Sequence, residues 1–256
     1  MSLAFEQRKK KILDQLRKEK SIQIPDLAEA LHVSSETVRR DLGRLEKEGK
    51  LKKVYGGAVL PGSNLWEPPY GQKSLINAEE KKSIGRLAAT LVEDEDIIMV
   101  GNGTTTVEMI DFLSTKKNVT LITYSAPVLL RAMKSFKGPI IFIGGEVDIN
   151  QESTHGLLAE LSLKQLRADK AFIPAGGISI ADGINDYDLN EAKMSGLLKE
   201  RSNELVVVAD HSKLGVATFA HICSIKEIST LVTTGPCPED LKNHLHEHNV
   251  QLMLAD

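Results

Sequence analysis

Five small polar residues follow the apolar run 96–100 and could bind a phosphate group: Asn102, Gly103, Thr104, Thr105 and Thr106. Glycine lets a ligand approach the backbone closely, and amides and hydroxyls at the start of a helix can cradle an anion. The spacing is neither the dinucleotide fingerprint nor a Walker loop. An ordinary helix cap is the alternative, so the phosphate interpretation requires a strand before this run and a helix after it.

Three further groups of polar residues also follow apolar runs. Paired glycines expose backbone amides, carboxylates accept sugar hydroxyls, and a lysine compensates an anion in a partly desolvated cleft. Each group also has a simpler interpretation as a turn or a solvated surface. The candidate ligand-binding residues are Tyr124 and Ser125, then Gly176, Gly177, Asp182, Asp186 and Glu191, then Asp210 and Lys213.

A separate set of polar and basic residues near the N-terminus could bind DNA. Arginine side chains can grip guanine edges or phosphates, and lysines add contacts that do not depend on sequence. A merely solvated basic face is the alternative. The candidates are Ser35, Glu36, Thr37, Arg39, Arg40, Arg44, Lys52 and Lys53.

The elements that would position these basic residues follow the order of a winged helix-turn-helix. A short helix beginning at Pro25 is followed by the turn 32–34 and a second helix that Ser34 or Ser35 caps. Gly49 ends that helix. The flanking elements predicted from the pattern are a helix over 5–17, a brief strand over 20–24, and a hairpin with strands 51–55 and 58–60 around a turn at Gly56 and Gly57.

The larger part of the chain alternates apolar strands with helices, which predicts an α/β fold with a mostly parallel sheet covered on both faces. Ligands bind such sheets at the carboxyl ends of the strands, so the loops 101–106, 175–186 and 210–215 should meet at one rim. The predicted strands are 96–100, 119–123, 139–143, 170–174, 204–209, 228–233 and 250–254, and the predicted helices are 79–92, 107–113, 127–134, 157–166, 189–202 and 238–247.

Turn-forming residues between these two patterns predict a linker. The expected organisation is therefore a DNA-binding domain over 1–60, a linker over 61–77 and a ligand-binding domain over 78–256. Residues 1–60 hold 14 Lys and Arg against 9 Asp and Glu, a balance of +5, while the whole chain carries −3. A basic N-terminal domain joined to an acidic remainder favours a polyanion partner for the N-terminal domain alone.

The composition excludes several classes of protein. The two cysteines have no disulfide or metal-ligand spacing, and we expect no cofactor and no metal site. Aromatic residues make up only 4%, which disfavours base stacking as the main binding mode. No apolar run reaches the roughly 18 residues of a membrane helix and no signal peptide is evident, so we expect a cytoplasmic protein without a membrane partner.

Two segments resemble the DeoR family of bacterial repressors. The first is 24–49 followed by 55–58, and its most specific part is Ser35-Glu-Thr-Val-Arg-Arg-Asp-Leu42. The second comprises 103–106, 176–177, 185–192 and 209–215 in the larger domain. The match covers nearly the whole chain apart from the linker. Family members often have Asp just before the first Gly-Thr-Thr, whereas this chain has Asn102.

The resemblance implies a sensor domain similar in fold to ribose-5-phosphate isomerase and the CoA-transferases, with a phosphorylated sugar or related metabolite as effector. It makes Thr37, Arg39 and Arg40 the strongest candidates for operator contact. The expected function is a DNA-binding transcription regulator, a repressor of a sugar-catabolism operon, acting as a homodimer or tetramer because operators are symmetric.

The alternative is an enzyme, a sugar-phosphate isomerase with an appended nucleic-acid-binding domain. Glu191, Asp182 and Lys213 could be assigned roles as a base and its orienting groups. The isomerase's catalytic run Asp-Gly-Ala-Asp-Glu is absent, however, and the nearest stretch, Asp182-Gly-Ile-Asn185, lacks the later acids. The sequence therefore favours a sensor with no catalytic residues.

Overall fold

The computed structural model describes residues 3–19, 21–54, 57–59, 68 and 70–256. The chain divides into two compact units, Met1–Trp66 and Glu67–Asp256, which are described separately. The elements of the first unit are helices α1 (Leu3–Glu19), α2 (Ile24–Leu31) and α3 (Ser35–Lys47), and strands β1 (Ser21–Gln23), β2 (Lys52–Val54) and β3 (Gly57–Val59).

Local signals form the turn between α2 and α3. His32 ends α2 in the left-handed region at φ 53°, with its N–H donating to the carbonyls of Ala28 and Glu29. Ser34, not Ser35, caps α3 by accepting a hydrogen bond from the Thr37 N–H at 3.2 Å. The predicted helix-turn-helix is confirmed in the structure, and the open choice of cap is settled.

The strands of this unit form an antiparallel sheet in the order β1-β3-β2. Gly57 was predicted as a turn residue, but it begins β3. A Cβ there would stand 2.0 Å from the Ile22 carbonyl oxygen, so only glycine allows β3 to pair this closely with β1. Gly56, the other predicted turn residue, and Tyr55, the predicted end of the preceding strand, lie outside the described residues.

The core of the first unit joins α1, α2, α3 and the sheet. Val38, Leu42 and Leu45 are fully buried on one face of α3, as their spacing predicts. Asp41 lies on that face too, where its carboxylate accepts a hydrogen bond from Arg8 Nε of α1 at 2.6 Å. Sequence periodicity did not indicate this ion pair, which fixes α1 against α3.

The C-terminal part of the predicted linker 61–77 belongs to the second unit. Residues 61–67 and 69 lie outside the described residues. Tyr70 begins a one-turn helix, its side chain is buried, and its hydroxyl donates to the Gly103 carbonyl at 3.4 Å. Residues 70–77 therefore belong to the folded second unit.

The second unit contains helices α4 (Tyr70–Lys73), α5 (Ala78–Ala89), α6 (Ala126–Ser135), α7 (Leu157–Lys164), α8 (Leu189–Glu200) and α9 (Glu239–Glu247). Its strands are β4 (Ile97–Val100), β5 (Thr120–Thr123), β6 (Ile140–Phe142), β7 (Glu146–Asp148), β8 (Ser153–His155), β9 (Ala168–Pro174), β10 (Gly177–Ser179), β11 (Gly183–Asp186), β12 (Ser202–Val208), β13 (Ala220–Cys223), β14 (Thr230–Thr234) and β15 (Gln251–Ala255). Three 3₁₀ helices span Thr106–Phe112, His211–Lys213 and Ile225–Glu227.

Seven strands form a parallel sheet in the order β15-β14-β12-β9-β4-β5-β6, which confirms the predicted α/β class. The first strand of this sheet along the chain is β4. The next two, β5 and β6, are added on one side of it, and β9 is then added on the other side. The strand order therefore reverses between β4 and β9. Such a switch point opens a crevice at the carboxyl ends of the strands.

Apolar layers cover both faces of this sheet. In β4, Ile98 and Val100 join the layer under α5 and α6, while Met99 joins the layer under α7, α8 and α9. This alternation is the two-residue period of a strand buried on both sides. Within the described ranges, every helix is too short or too polar to cross a bilayer.

Three features of the second unit differ from the sequence prediction. The predicted α-helix 107–113 is a 3₁₀ helix beginning at Thr106. A hairpin of β7 and β8 and an antiparallel sheet in the order β10-β11-β13 were not predicted. These strands have only three or four residues each, too few for an alternating pattern to stand out.

Candidate ligand cleft and nucleic-acid interface

The N-terminal half of α3 presents the predicted DNA-contacting side chains. Glu36, Arg39 and Arg40 are exposed, while Ser35 and Thr37 are half-buried. Arg39 Nη1 lies 3.7 Å from Glu36 Oε2, a weak surface pair that a phosphate can displace. The Thr37 hydroxyl lies 3.0 Å from Ser34 Oγ, so it helps to order the start of the helix.

Two other predicted contacts have different surroundings. The Arg44 guanidinium lies 5.1 Å from the centroid of the Phe5 ring, against α1 of its own unit. Lys53 is exposed on β2, and its backbone N–H donates to Glu46 Oε1 at 2.9 Å, which ties the strand to α3. The Lys52 side chain lies outside the described residues.

The second unit has a cleft where the strand order reverses. Its empty volume, counted with the open mouth, is about 630 Å³. Loops after β4, β9 and β12 contribute to its lining, as the strand-end rule predicts. The candidates that the structure brings together there are Asn102, Gly103, Thr104, Thr105, Asp186, Glu191, Asp210 and Lys213.

The loop after β4 packs tightly and leaves amides available. A Cβ on Gly103 would stand 2.7 Å from Pro174 Cβ at the end of β9, so glycine is needed there. Thr106 lies behind the cleft, where its hydroxyl donates to the carbonyls of Gly101 and Gly103 at 2.8 and 3.0 Å. Among the described residues, no hydrogen bond uses the N–H groups of Gly103, Thr104 or Thr105. Unused amides ahead of a helix suit an anion.

A buried polar network forms the floor of the cleft. Glu191, on the first turn of α8, contacts three uncharged side chains: Asn102 Nδ2 at 3.4 Å, Tyr124 OH at 3.1 Å, and the Ser153 hydroxyl. Ser125 Oγ donates to Asn102 Oδ1 at 2.7 Å. Tyr124 and Ser125 thus support Asn102 and Glu191 from below rather than line the cleft.

The Glu191 carboxyl group is buried, and only 6% of the residue surface is exposed. Burial, and to a lesser extent the nearby charge of Asp186, raise its pKa, and the net value is about 8 against an ordinary 4.5. Hydrogen bonds from Ser153 and Tyr124 and the charge of Lys73 act in the opposite direction but do not cancel the effect of burial. Glu191 is therefore mostly uncharged at neutral pH.

The loop after β12 supplies the lysine. Asp210 is buried and accepts hydrogen bonds from Asn77 Nδ2 and the Ser212 N–H, both at 3.0 Å. Burial raises the pKa of Asp210, but these hydrogen bonds and the charge of Lys213 outweigh it and lower the pKa overall. Lys213 Nζ lies 5.3 Å from the centroid of the Tyr187 ring, which holds the ammonium group at the cleft.

Two lysines of the lining were missed by sequence reasoning. Lys73 ends α4 and Lys81 lies on α5, both upstream of the first sheet strand. Lys81 is only 3% exposed, and its ammonium group donates to the Lys73 carbonyl at 2.7 Å. The strand-end rule selects only loops that follow strands, and neither lysine lies in such a loop. A lysine in an apolar helical stripe would have been the available signal.

Other predicted residues do not reach the cleft. The Gly176 N–H donates to the Asn185 carbonyl at 2.8 Å, and a Cβ on Gly177 would stand 2.4 Å from the Val216 carbonyl oxygen. These glycines permit close packing of β10 and do not present amides to a ligand. Asp182 is exposed at the turn between β10 and β11, outside the cleft lining.

A cluster of ionisable groups lies beside Asp210. Ligand atoms of Glu80, Asp210 and His211 lie within 4.8 Å of one another and could hold a metal ion. His211 Nδ1 is 2.7 Å from Glu80 Oε2, and this contact raises the pKa of His211 from its ordinary 6.5. In this structure the hydrogen bond between Glu80 and His211 links α5 to the 3₁₀ helix that follows β12.

Both units match family models. Residues 8–64 match the model described as the DeoR-like helix-turn-helix domain. Residues 76–234 match the model described as the DeoR C terminal sensor domain. Together the two models span most of the chain.

Similar proteins align over nearly their whole length. The HTH-type transcriptional regulator GolR of Listeria innocua serovar 6a is 30% identical, over 98% of this chain and 98% of that protein. The HTH-type transcriptional regulator IolR of Bacillus subtilis is 29% identical, over 92% and 93%. The transcriptional repressor AccR of Agrobacterium fabrum is 29% identical, over 88% of each chain.

Among solved structures, ribose 5-phosphate isomerase A from Methanocaldococcus jannaschii aligns with a TM-score of 0.41 and 21% identity. The alignment covers 54% of this chain and 55% of the isomerase.

Proposed function

Because the chain belongs to the DeoR family of transcriptional regulators, we propose that it is a repressor whose affinity for operator DNA is set by a phosphorylated sugar in the cleft of its second unit. It is a DNA-binding regulator. The ligand proposal rests mainly on the loop 103–105. Its backbone N–H groups make no hydrogen bond among the described residues, and it lines the same cleft as Lys213.

The charges of the cleft favour an anion. Three lysines line it, Lys73, Lys81 and Lys213, together with three carboxyl groups, Asp186, Glu191 and Asp210. Because Glu191 is mostly uncharged at neutral pH, the lysines outnumber the ionised carboxylates there. A phosphate dianion placed at loop 103–105 would accept hydrogen bonds from the amides and be balanced by the lysines.

The remaining lining favours a sugar over a nucleotide as the carrier of that phosphate. Asp186 and Asp210 can accept hydrogen bonds from hydroxyl groups, and Asn102 offers an amide fixed by Ser125. None of the described residues that line the cleft is aromatic, so a base would have no ring on which to stack. Relatives named as a transcriptional regulator and a transcriptional repressor support a role in transcription. From the chemistry of the cleft we propose that the regulated operon serves sugar catabolism.

The test is a screen of sugar phosphates and their unphosphorylated sugars on the full chain. A phosphorylated ligand is expected to raise the thermal stability, by about 2.7 kcal/mol at a hundredfold its dissociation constant, and to change operator affinity in fluorescence anisotropy. Tighter binding of the free sugar than of its phosphate would refute the phosphate assignment. We also propose that the chain is not an enzyme, so the same compounds should remain unconsumed at catalytic protein concentrations.

We further propose that the regulator works as a homodimer or homotetramer. One helix-turn-helix covers only a short half-site, and symmetric pairing of two such units matches a palindromic operator. Analytical ultracentrifugation at micromolar concentration should show a dimer or larger species. A monomer that persists with operator DNA present would contradict the proposal.

A further inference from the structure

We propose that Glu191 is a specificity-determining residue of the cleft, an acid that must be uncharged for the cleft to accept an anionic ligand. This inference rests on the proposed function, since it takes the ligand to be phosphorylated. It goes further because it assigns the carboxyl group a protonation state and makes ligand affinity depend on pH.

The geometry places this acid directly behind the anion loop. Asn102 precedes Gly103, and its Nδ2 lies 3.4 Å from Glu191 Oε1 and donates to the Gln151 carbonyl at 3.0 Å. Glu191 also lines the cleft itself. A charge on this carboxyl group would therefore act on a phosphate at loop 103–105 through buried groups of low polarizability, where repulsion is poorly screened.

The surroundings of Glu191 keep it uncharged. Its hydrogen-bonding partners are hydroxyl and amide groups from β8 and from the loops after β4 and β5. Asp186 of β11 opposes ionisation, and Lys73 of α4 favours it. The balance gives a pKa of about 8, whereas burial holds the pKa of Tyr124 well above 10, so the phenol does not titrate in the same range.

The charges of Glu191 and of the ligand determine whether ligand affinity rises or falls with pH. A bound anion disfavours the Glu191 carboxylate and so raises its pKa above the value in the free protein. Reciprocally, ionisation of Glu191 lowers the affinity for the anion. The affinity should be level below pH 8 and fall above it, by up to about tenfold per pH unit for one linked proton. A phosphate monoester loses its second proton near pH 6, and inorganic phosphate roughly one pH unit higher, so above pH 8 either ligand is mainly a dianion and changes charge little.

The experiment uses inorganic phosphate as the probe and the full chain. Infrared difference spectra of the wild type against Glu191→Gln, titrated from neutral to alkaline pH, should show a protonated-carboxyl band that disappears near pH 8. Phosphate should move that midpoint upward. Phosphate affinity, measured by ³¹P NMR, should fall above pH 8 in the wild type and stay level in Glu191→Gln.

Glu200→Gln is the matched control, because it makes the same change on the same helix at an exposed carboxyl group and should keep the wild-type profile. If Glu191→Gln does not fold, Ser153→Ala retains the acid and removes a hydrogen bond that lowers its pKa, so the midpoint should rise. An already ionised Glu191 at neutral pH, or the same profile in wild type and Glu191→Gln, would overturn the inference alone. No phosphate binding at any pH would overturn the anion loop, and the inference with it.

Discussion

Replacing Lys213 with alanine is expected to weaken binding of the phosphorylated ligand roughly 10- to 150-fold. The ammonium group is held at the cleft by the Tyr187 ring, 5.3 Å away, and by the charge of Asp210. A hydrogen bond to a charged group contributes about 1.5–3 kcal/mol, and about 1.4 kcal/mol corresponds to a factor of ten in affinity. Isothermal titration calorimetry of the full chain measures the loss directly.

Lys164→Ala provides the matched control for this prediction. Lys164 is an exposed lysine at the end of α7, and it does not line the cleft. The same loss of charge there should leave ligand affinity unchanged, which separates a contact in the cleft from the overall charge of the protein. Wild-type affinity in Lys213→Ala would place the phosphate elsewhere.

Replacing Arg40 or Arg39 with alanine is expected to weaken operator binding by about 1–3 kcal/mol, roughly 5- to 150-fold. Both side chains are exposed on the N-terminal half of α3, the part of a recognition helix that enters the major groove. Arg39 must first leave its weak pair with Glu36, so we expect the larger effect for Arg40. Fluorescence anisotropy with operator and random DNA measures the change.

Lys53→Ala supplies the comparison that identifies base contact. Lys53 is exposed on β2, outside α3, and we expect it to contact phosphates rather than bases. Its loss should therefore weaken binding to operator and random DNA alike and flatten the salt dependence. Loss of an arginine that reads bases should reduce the preference for operator over random DNA. Unchanged operator affinity in both arginine variants, with the fold intact, would mean that another surface reads the DNA.

Much of the fold could be predicted because its causes are local. The turn between α2 and α3 follows from His32 and Ser34, and the buried face of α3 follows from the spacing of Val38, Leu42 and Leu45. The parallel sheet follows from apolar strands separated by helices. The small antiparallel sheet of β10, β11 and β13 could not be predicted, because its pairings join short segments distant in the chain.

The candidate site could be predicted in part. Its two best-placed loops, 101–106 and 210–215, follow strands that the apolar pattern shows clearly, and both reach the cleft. Gly176, Gly177 and Asp182 do not line the cleft, because the sequence identifies residue types near a strand end but not the direction in which each residue faces. Lys73 lines the cleft but was not predicted, because it lies within the predicted linker 61–77.

The sequence by itself determined a basic helix-turn-helix, an α/β unit and the loops most able to hold an anion, since each depends on residues close together in the chain. Only the tertiary structure decided that the strand order reverses between β4 and β9, which opens the cleft there. Only it brought Asn102, Tyr124, Ser153 and Glu191 together from four separate elements. The protonation of Glu191 depends on that burial, because the free energy of a charge is set by its surroundings in space rather than by its neighbours in sequence.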